Sequence, residues 1–307
     1  MQRIEPILID PGQSERGWHR LQAALRCPRY YALTYGSDTE RAPSAAPALV
    51  KGSLVHIGLA HFYQELRGKQ DPTQTGHYYN PHDAIAFCAL QNQAKFDTLE
   101  EGANWSKFTP LAQDVLRRYE EFYGEDKQWT ILGIEHELRA NVEDPATGKK
   151  NLYTQRADLI IRDRAGQVWI VDHKTTGRLT SASAGRYTLS GQFLGYQMFG
   201  HGLFKEKFGG VILNMIQLPR VKEVWTDDDT IELKYNPKQF KFERHLVEPA
   251  PAALTRFKDT LLRAEAIIEQ YTDTPPMEVP GTYTEMTCTH VYGKCSKHSQ
   301  CQHGIQE

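Results

Sequence analysis

The chain has 307 residues, 40% of them hydrophobic and 24% charged, with a formal net charge of −2. That length can bury a core as one large domain or two small ones. The charge balance excludes a coating-type nucleic-acid binder, which needs a global basic field, but leaves room for a local basic groove. No apolar run approaches the roughly 20 residues of a membrane span. The polar start Met1-Gln2-Arg3-Ile4-Glu5 does not read as a signal peptide. A soluble, cytoplasmic protein is expected.

Residues 14–35 carry a helical pattern through Leu21, Leu25 and the pair Tyr30-Tyr31. A Pro/Ala/Ser-rich loop at 42–48 precedes an amphipathic helix over 49–67, with Leu54, Ile57, His61 and Glu65 at spacings of three and four. Gly52 and Gly58 inside that helix are costly unless a backbone or ligand must approach closely. Residues 71–81 read as loop, and helices are predicted over 82–100 and 108–125.

The period changes at Trp129. Residues 131–138 alternate as a strand, with Glu135 and Glu137 on one face. Two further strands, at 155–161 and 168–176, flank Asp163-Arg164-Ala165-Gly166-Gln167, which has hairpin-turn composition. Helix returns over 190–206, a fourth strand covers 211–216, and a short hairpin falls within 221–235. Residues 252–270 form an amphipathic helix with Leu254, Phe257, Leu261, Ala264 and Ile268 on one stripe, ended by Pro275-Pro276. The order predicts an α/β fold: a mixed central sheet flanked by helices, with a helical N-terminal region and a C-terminal helix and tail.

The chemistry concentrates in the first hairpin. Folded about Ala165, it sets Asp158 directly opposite Asp172, with Cβ atoms about 4.5–5.5 Å apart. Like charges there are destabilising in a structural role and useful around a divalent cation, since hard cations take one or two carboxylates with water and phosphate oxygens. Lys174 lies one pleat beyond Asp172 on the same face. Acid-x-Lys at a strand end is, taken alone, more often a solvated terminus. The lone His56, and the i, i+4 pair Gln192 and Tyr196, are equally ordinary taken singly.

Among the cysteines, Cys88 reads as a small buried hydrophobe. Cys27 sits in Leu25-Arg26-Cys27-Pro28-Arg29, while Cys288, Cys295 and Cys301 crowd the C-terminus. An intracellular chain holds few disulfides, so clustered cysteines suggest a metal.

Taken together, His56, Asp158, Asp172-x-Lys174-Thr175-Thr176 and Gln192-x3-Tyr196 resemble the RecB-like branch of the PD-(D/E)xK nucleases. That branch includes the AddB nuclease domain, CRISPR-associated exonucleases and stand-alone phage nucleases. The resemblance runs from about residue 50 to 216, and to the C-terminus if the cysteines are counted. It implies a restriction-endonuclease-like core and Mg²⁺ or Mn²⁺ held by His56, Asp158, Asp172 and the carbonyl of His173. It further implies that Lys174 orients or activates water and that Gln192 and Tyr196 hold the DNA strand. The family's further acid is best matched by Glu135, with Glu137 as the alternative on the same face.

In one sub-branch, a cysteine ahead of the core and three at the C-terminus hold a [4Fe–4S] cluster, a layout matched by Cys27, Cys288, Cys295 and Cys301. The interval between Cys288 and Cys295 is longer than the usual one, and His290, His298 and His303 crowd the tail, so a zinc site is an alternative. One nuclease domain over 1–307 is then expected: a helical region to 127, a catalytic core over 128–218, and a C-terminal region that closes back on Cys27. The implied activity is exonucleolytic hydrolysis of single-stranded DNA or DNA ends. The alternative is a non-catalytic subunit of a helicase–nuclease or CRISPR adaptation complex. No Walker-type Gly-x4-Gly-Lys run is present, so any motor must come from a partner.

Overall fold

The computed structural model describes residues 5–9, 11–36, 44–98, 100–180, 182–226, 231–290 and 293–304. In chain order the main elements are α1 (Trp18–Arg26), α2 (Pro28–Tyr35), α3 (Pro47–Gln70), α4 (Pro81–Gln93) and α5 (Ala103–Tyr123). Three strands follow, β1 (Thr130–Glu143), β2 (Lys150–Arg162) and β3 (Val168–Thr176), then α6 (Gly191–Phe204) and β4 (Phe208–Gln217). The chain continues through β5 (Val221–Trp225), β6 (Ile231–Tyr235), β7 (Lys241–Val247) and α7 (Pro251–Gln270). Its tail forms α8 (Glu285–Cys288), the two-residue strands β8 (Thr289–His290) and β9 (Gly293–Lys294), and α9 (His298–His303). The chain divides into two compact units. One is Met1–Gln13, Ala42–Glu137 and Arg156–Pro249; the other is Ser14–Arg41, Leu138–Gln155 and Ala250–Glu307.

The central sheet has the order β1-β2-β3-β4-β7. It is mixed: β3 and β4 run parallel across the α6 crossover, while β2 and β7 pair antiparallel on either side of them. The parallel pair is buried on both faces, which explains why 168–171 and, apart from Asn214, 211–216 read as apolar runs. The β2–β3 hairpin turns where Gly166 adopts φ +84°, a conformation that favours glycine, while the Asp163 carboxylate accepts the Gln167 N–H and the Trp169 indole N–H, both at 2.9 Å. Its register, Leu159↔Val171 through Arg162↔Val168, is that of a hairpin folded about Ala165.

Helix α3 is apolar around most of its circumference because it is central, packed against α4, α5 and β3. Gly58 permits that closeness: a Cβ there would stand 2.8 Å from Ile85 Cδ1 and 3.3 Å from Leu116 Cδ2. α5 contributes Phe108, Leu111, Val115 and Tyr119 from one stripe to the same core. Strand β7 was not expected from the sequence. Its side chains reverse the usual polarity: Arg244 is mostly covered, with a side chain 14% exposed, and Leu246 is 65% exposed.

In the second unit α1 packs on α7 through Trp18 and Phe257, with ring centroids 5.6 Å apart. Arg20 adds two hydrogen bonds to the Glu265 carboxylate, at 2.7 and 3.2 Å. The expected single helix over 14–35 is two helices. Cys27, the residue before Pro28, is extended at φ −164° and ψ 113°, because proline excludes its predecessor from helical geometry. Arg26 and Arg29 then hold the tail, donating to the carbonyls of Thr287 (2.6 Å) and Val279 (2.7 Å). Part of the expected loop at 42–48, the turn of the 221–235 hairpin and the His290 side chain lie outside the described residues.

Candidate metal centre

In the first unit, α3, β1 and β2 bring His56, Glu135 and Asp158 together, with one ligand atom from each lying within 4.8 Å of the others. His56 Nδ1 stands 3.5 Å from Asp158 Oδ2, and that oxygen also accepts the backbone N–H of His173 at 2.7 Å. Of the two acids expected on β1, Glu135 is the one in this group. It has φ +45°, a left-handed conformation that is uncommon for a residue with a side chain. Such local strain collects at functional sites, where the surrounding structure holds it in place.

Asp172 is arranged differently. Its carboxylate is completely buried, with Lys174 Nζ 2.5 Å from Oδ2 and Gln192 Nε2 donating to Oδ1 at 2.9 Å. The Tyr196 hydroxyl lies 2.9 Å from the same Oδ1 and 2.8 Å from the carbonyl of Arg156. Tyr196 itself is 0% exposed. The α6 pair, expected to hold a DNA strand, contacts the Asp172 carboxylate, with Tyr196 fully buried and Gln192 partly exposed. Asp172 and Lys174 face α6, while His173, one residue between them, turns to α3, with its ring stacked on Tyr63 at 5.8 Å.

Electrostatics follow from this crowding. Burial raises the Asp158 pKa, and neighbouring Asp172 raises it further, against the opposing pull of His56 and Lys174. For Lys174 burial works against the charged form, yet Asp172 and Asp158 outweigh it and the ammonium is held. Burial drives His173 well below the ordinary imidazole value, so its ring is neutral.

The donor set fits a hard divalent cation: carboxylates with one imidazole, and beside them the buried Asp172 carboxylate, whose Oδ2 faces the Lys174 ammonium. His56, Glu135, Asp158 and Asp172 would hold the ion. When bound, it would lower the pKa of a water and neutralise charge developing on a phosphate oxygen. Lys174 contributes a compact positive charge at the same place.

The cysteines meet in the second unit. Cys27, Cys288, Cys295 and Cys301 all line one cavity of about 580 Å³, with Lys294, Lys297 and His298 on its wall. The Cys295 N–H donates to the Cys288 carbonyl at 2.8 Å, so the backbones of these two cysteines are adjacent despite the long interval between them.

Sequence reasoning missed Asn214, which lies 2.7 Å from His173 through its side-chain amide. A signal was there: one amide in an otherwise apolar strand must find a buried partner.

A sequence model of the PD-(D/E)XK nuclease superfamily matches residues 18–302, nearly the whole chain. The protein belongs to that superfamily, which generally hydrolyses phosphodiester bonds with divalent metals, with DNA as the substrate the family implies. No curated protein matches the sequence. Similar solved structures include one described as the crystal structure of SSO0001, at 15% identity and a TM-score of 0.32, covering 62% of this chain and 73% of that one. Among the described residues, no helix is long and apolar enough to cross a membrane.

Proposed function

We propose that the protein is a Mg²⁺- or Mn²⁺-dependent DNA exonuclease of the RecB-like branch, acting on single strands or duplex ends. The observation that carries this reading is the meeting of His56, Glu135 and Asp158 beside the buried Asp172–Lys174 pair. His56, Glu135, Asp158, Asp172 and the His173 carbonyl are the metal-binding groups in this reading. Lys174 orients the attacking water and stabilises charge on the phosphate, and Gln192 and Tyr196 act by fixing the Asp172 carboxylate. The two compact units serve as one nuclease domain, a view supported by a family match that spans both.

In the second unit, Cys27, Cys288, Cys295 and Cys301 hold a [4Fe–4S] cluster. Support comes from their shared cavity and from its lysines, which suit a thiolate-bound anionic group.

The test uses labelled linear and circular DNA, single- and double-stranded, with Mg²⁺, Mn²⁺ or EDTA, and Asp158→Asn as control. Metal-dependent loss of linear but not circular DNA, absent in the control, is expected. Cutting of circles would make the enzyme an endonuclease. No cleavage of any substrate would turn the reading to a non-catalytic DNA-binding subunit.

A further inference from the structure

Three neighbouring strands carry polar side chains at one level of the sheet. His173 on β3 is the register partner of Asn214 on β4, and Asn214 is the partner of Arg244 on β7. All three turn toward α3 and α5, into a core that is otherwise apolar. His173 and Asn214 are 2% and 0% exposed. Asn214 Nδ2 lies 2.7 Å from His173 Nδ1 and donates to the Tyr119 hydroxyl at 2.9 Å. Arg244 then anchors the row. It donates to both Asp126 carboxylate oxygens, at 2.7 and 2.8 Å, and to the hydroxyls of Tyr63 and Tyr119, at 3.1 and 3.0 Å. Its guanidinium is sandwiched by Tyr123 and Trp129, 3.5 and 4.0 Å from the ring centroids. Tyr63 closes the circuit, donating to Asp126 at 3.0 Å while its ring stacks on His173.

A polar network of this size gains nothing over an apolar core unless it specifies a geometry. What it fixes here is the placement of β3. A one-residue slip would carry Asp172 and Lys174 to the other face and take the His173 N–H away from Asp158. We propose that the row His173–Asn214–Arg244, anchored by Asp126, Tyr63 and Tyr119, is a positioning device for the metal centre, with Asn214 and Tyr119 as its positioning residues. The inference rests on the metal-nuclease reading. The network holds the β3 peptide that supports Asp158, so its damage registers first as weaker metal binding. Partners that orient ligating groups are worth about 10–100-fold in metal affinity.

The test is calorimetric titration of the full chain with Mn²⁺, without DNA, for wild type, Asn214→Ala, the milder Tyr119→Phe, and Ile85→Val as a packing control remote from the row. Cleavage is followed against Mg²⁺ concentration in parallel. Asn214→Ala and Tyr119→Phe should bind Mn²⁺ about 10–100-fold more weakly and need correspondingly more Mg²⁺ for half-maximal cleavage, with turnover recovering at saturating metal. Ile85→Val should bind Mn²⁺ as wild type does even though it melts earlier. Unchanged Mn²⁺ affinity in both network variants, or equal weakening in Ile85→Val, overturns the inference. A wild-type protein that binds no Mn²⁺ and cuts no DNA removes the nuclease reading itself, and this inference with it.

Discussion

The backbone N–H of His173 donates to Asp158 Oδ2 at 2.7 Å, just beyond the last paired residues of the hairpin, Leu159 and Val171. The carboxylate on β2 is thus held by the peptide of β3, and a single strand sets four side chains at once. Asp172 and Lys174 lie on the α6 side, His173 faces the core, and Asp158 is tethered across the gap. That economy is why a substitution on β3 should act on the chemistry and on the fold together.

Lys174→Ala is expected to abolish cleavage while leaving DNA binding largely intact, because phosphate contacts elsewhere supply affinity and the ammonium serves the transition state. The variant also leaves Asp172, 0% exposed, without its counter-charge. Breaking a buried pair in this way costs about 3–5 kcal/mol. In EDTA the variant should therefore melt well below wild type. Added Mn²⁺ should restore part of the difference, since a cation binding only the native state stabilises it. Near-wild-type cleavage would remove Lys174 from the chemistry.

Tyr196→Phe deletes one hydroxyl that reaches Asp172 Oδ1 and the Arg156 carbonyl. Loss of carboxylate orientation should lower turnover by up to about 100-fold, the scale of misplacement effects. DNA affinity should not change, because Tyr196 is wholly buried. Gln192→Ala should act in the same direction. A weakened DNA affinity with turnover preserved would instead return this helix face to strand binding.

His61 gives a pH dependence that is independent of the metal centre. Its Nε2 accepts the Ile9 N–H at 3.0 Å, and Nδ1 lies 2.8 Å from the Tyr79 carbonyl, so the neutral ring with its proton on Nδ1 satisfies both neighbours. Burial lowers its pKa in the folded state, despite the opposing carbonyl contact. The unfolded chain binds this proton more readily. The contribution to stability is therefore complete above the ordinary imidazole value, about 6.5, and is lost as pH falls from there through the lowered folded value. Melting temperatures of wild type and His61→Gln measured across this range should converge as the medium is acidified. A constant gap at all pH values would show that His61 does not titrate between the two states.

The sequence carried the hairpin well, because a turn with glycine at the required position and two apolar strands leaves one register that buries the right face. It carried α3 as a helix but not its place at the centre of the first unit, where Gly58 lets α4 and α5 approach. Strand β7 was illegible because Arg244 and Leu246, which share one face of the strand, have the charged side chain covered and the apolar one 65% exposed, so hydrophobicity does not report burial along it. Nor could periodicity announce the left-handed Glu135, since a positive φ on a residue with a side chain is imposed by tertiary surroundings. The helix break at Cys27-Pro28 was legible in principle, and its consequence is that Cys27 turns out of the helix toward the tail.

The cysteine site gives the last prediction. If Cys27, Cys288, Cys295 and Cys301 hold an iron–sulfur cluster, protein purified without oxygen should be brown and lose its colour on oxidation together with its iron. The cluster would join Cys27 to the last residues of the chain, and a cross-link over so long a loop stabilises by roughly 5 kcal/mol in the chain-entropy model. Cys27→Ala should therefore lower the melting temperature and solubility first. Cleavage by the surviving folded fraction should persist, because no cysteine lies among the metal-binding groups of the first unit. Metal analysis decides between the candidates. Stoichiometric zinc in colourless anaerobic protein would replace the cluster by a Cys/His zinc site. A metal-free tail with an unchanged Cys27→Ala melting temperature would leave four ordinary thiols around a cavity.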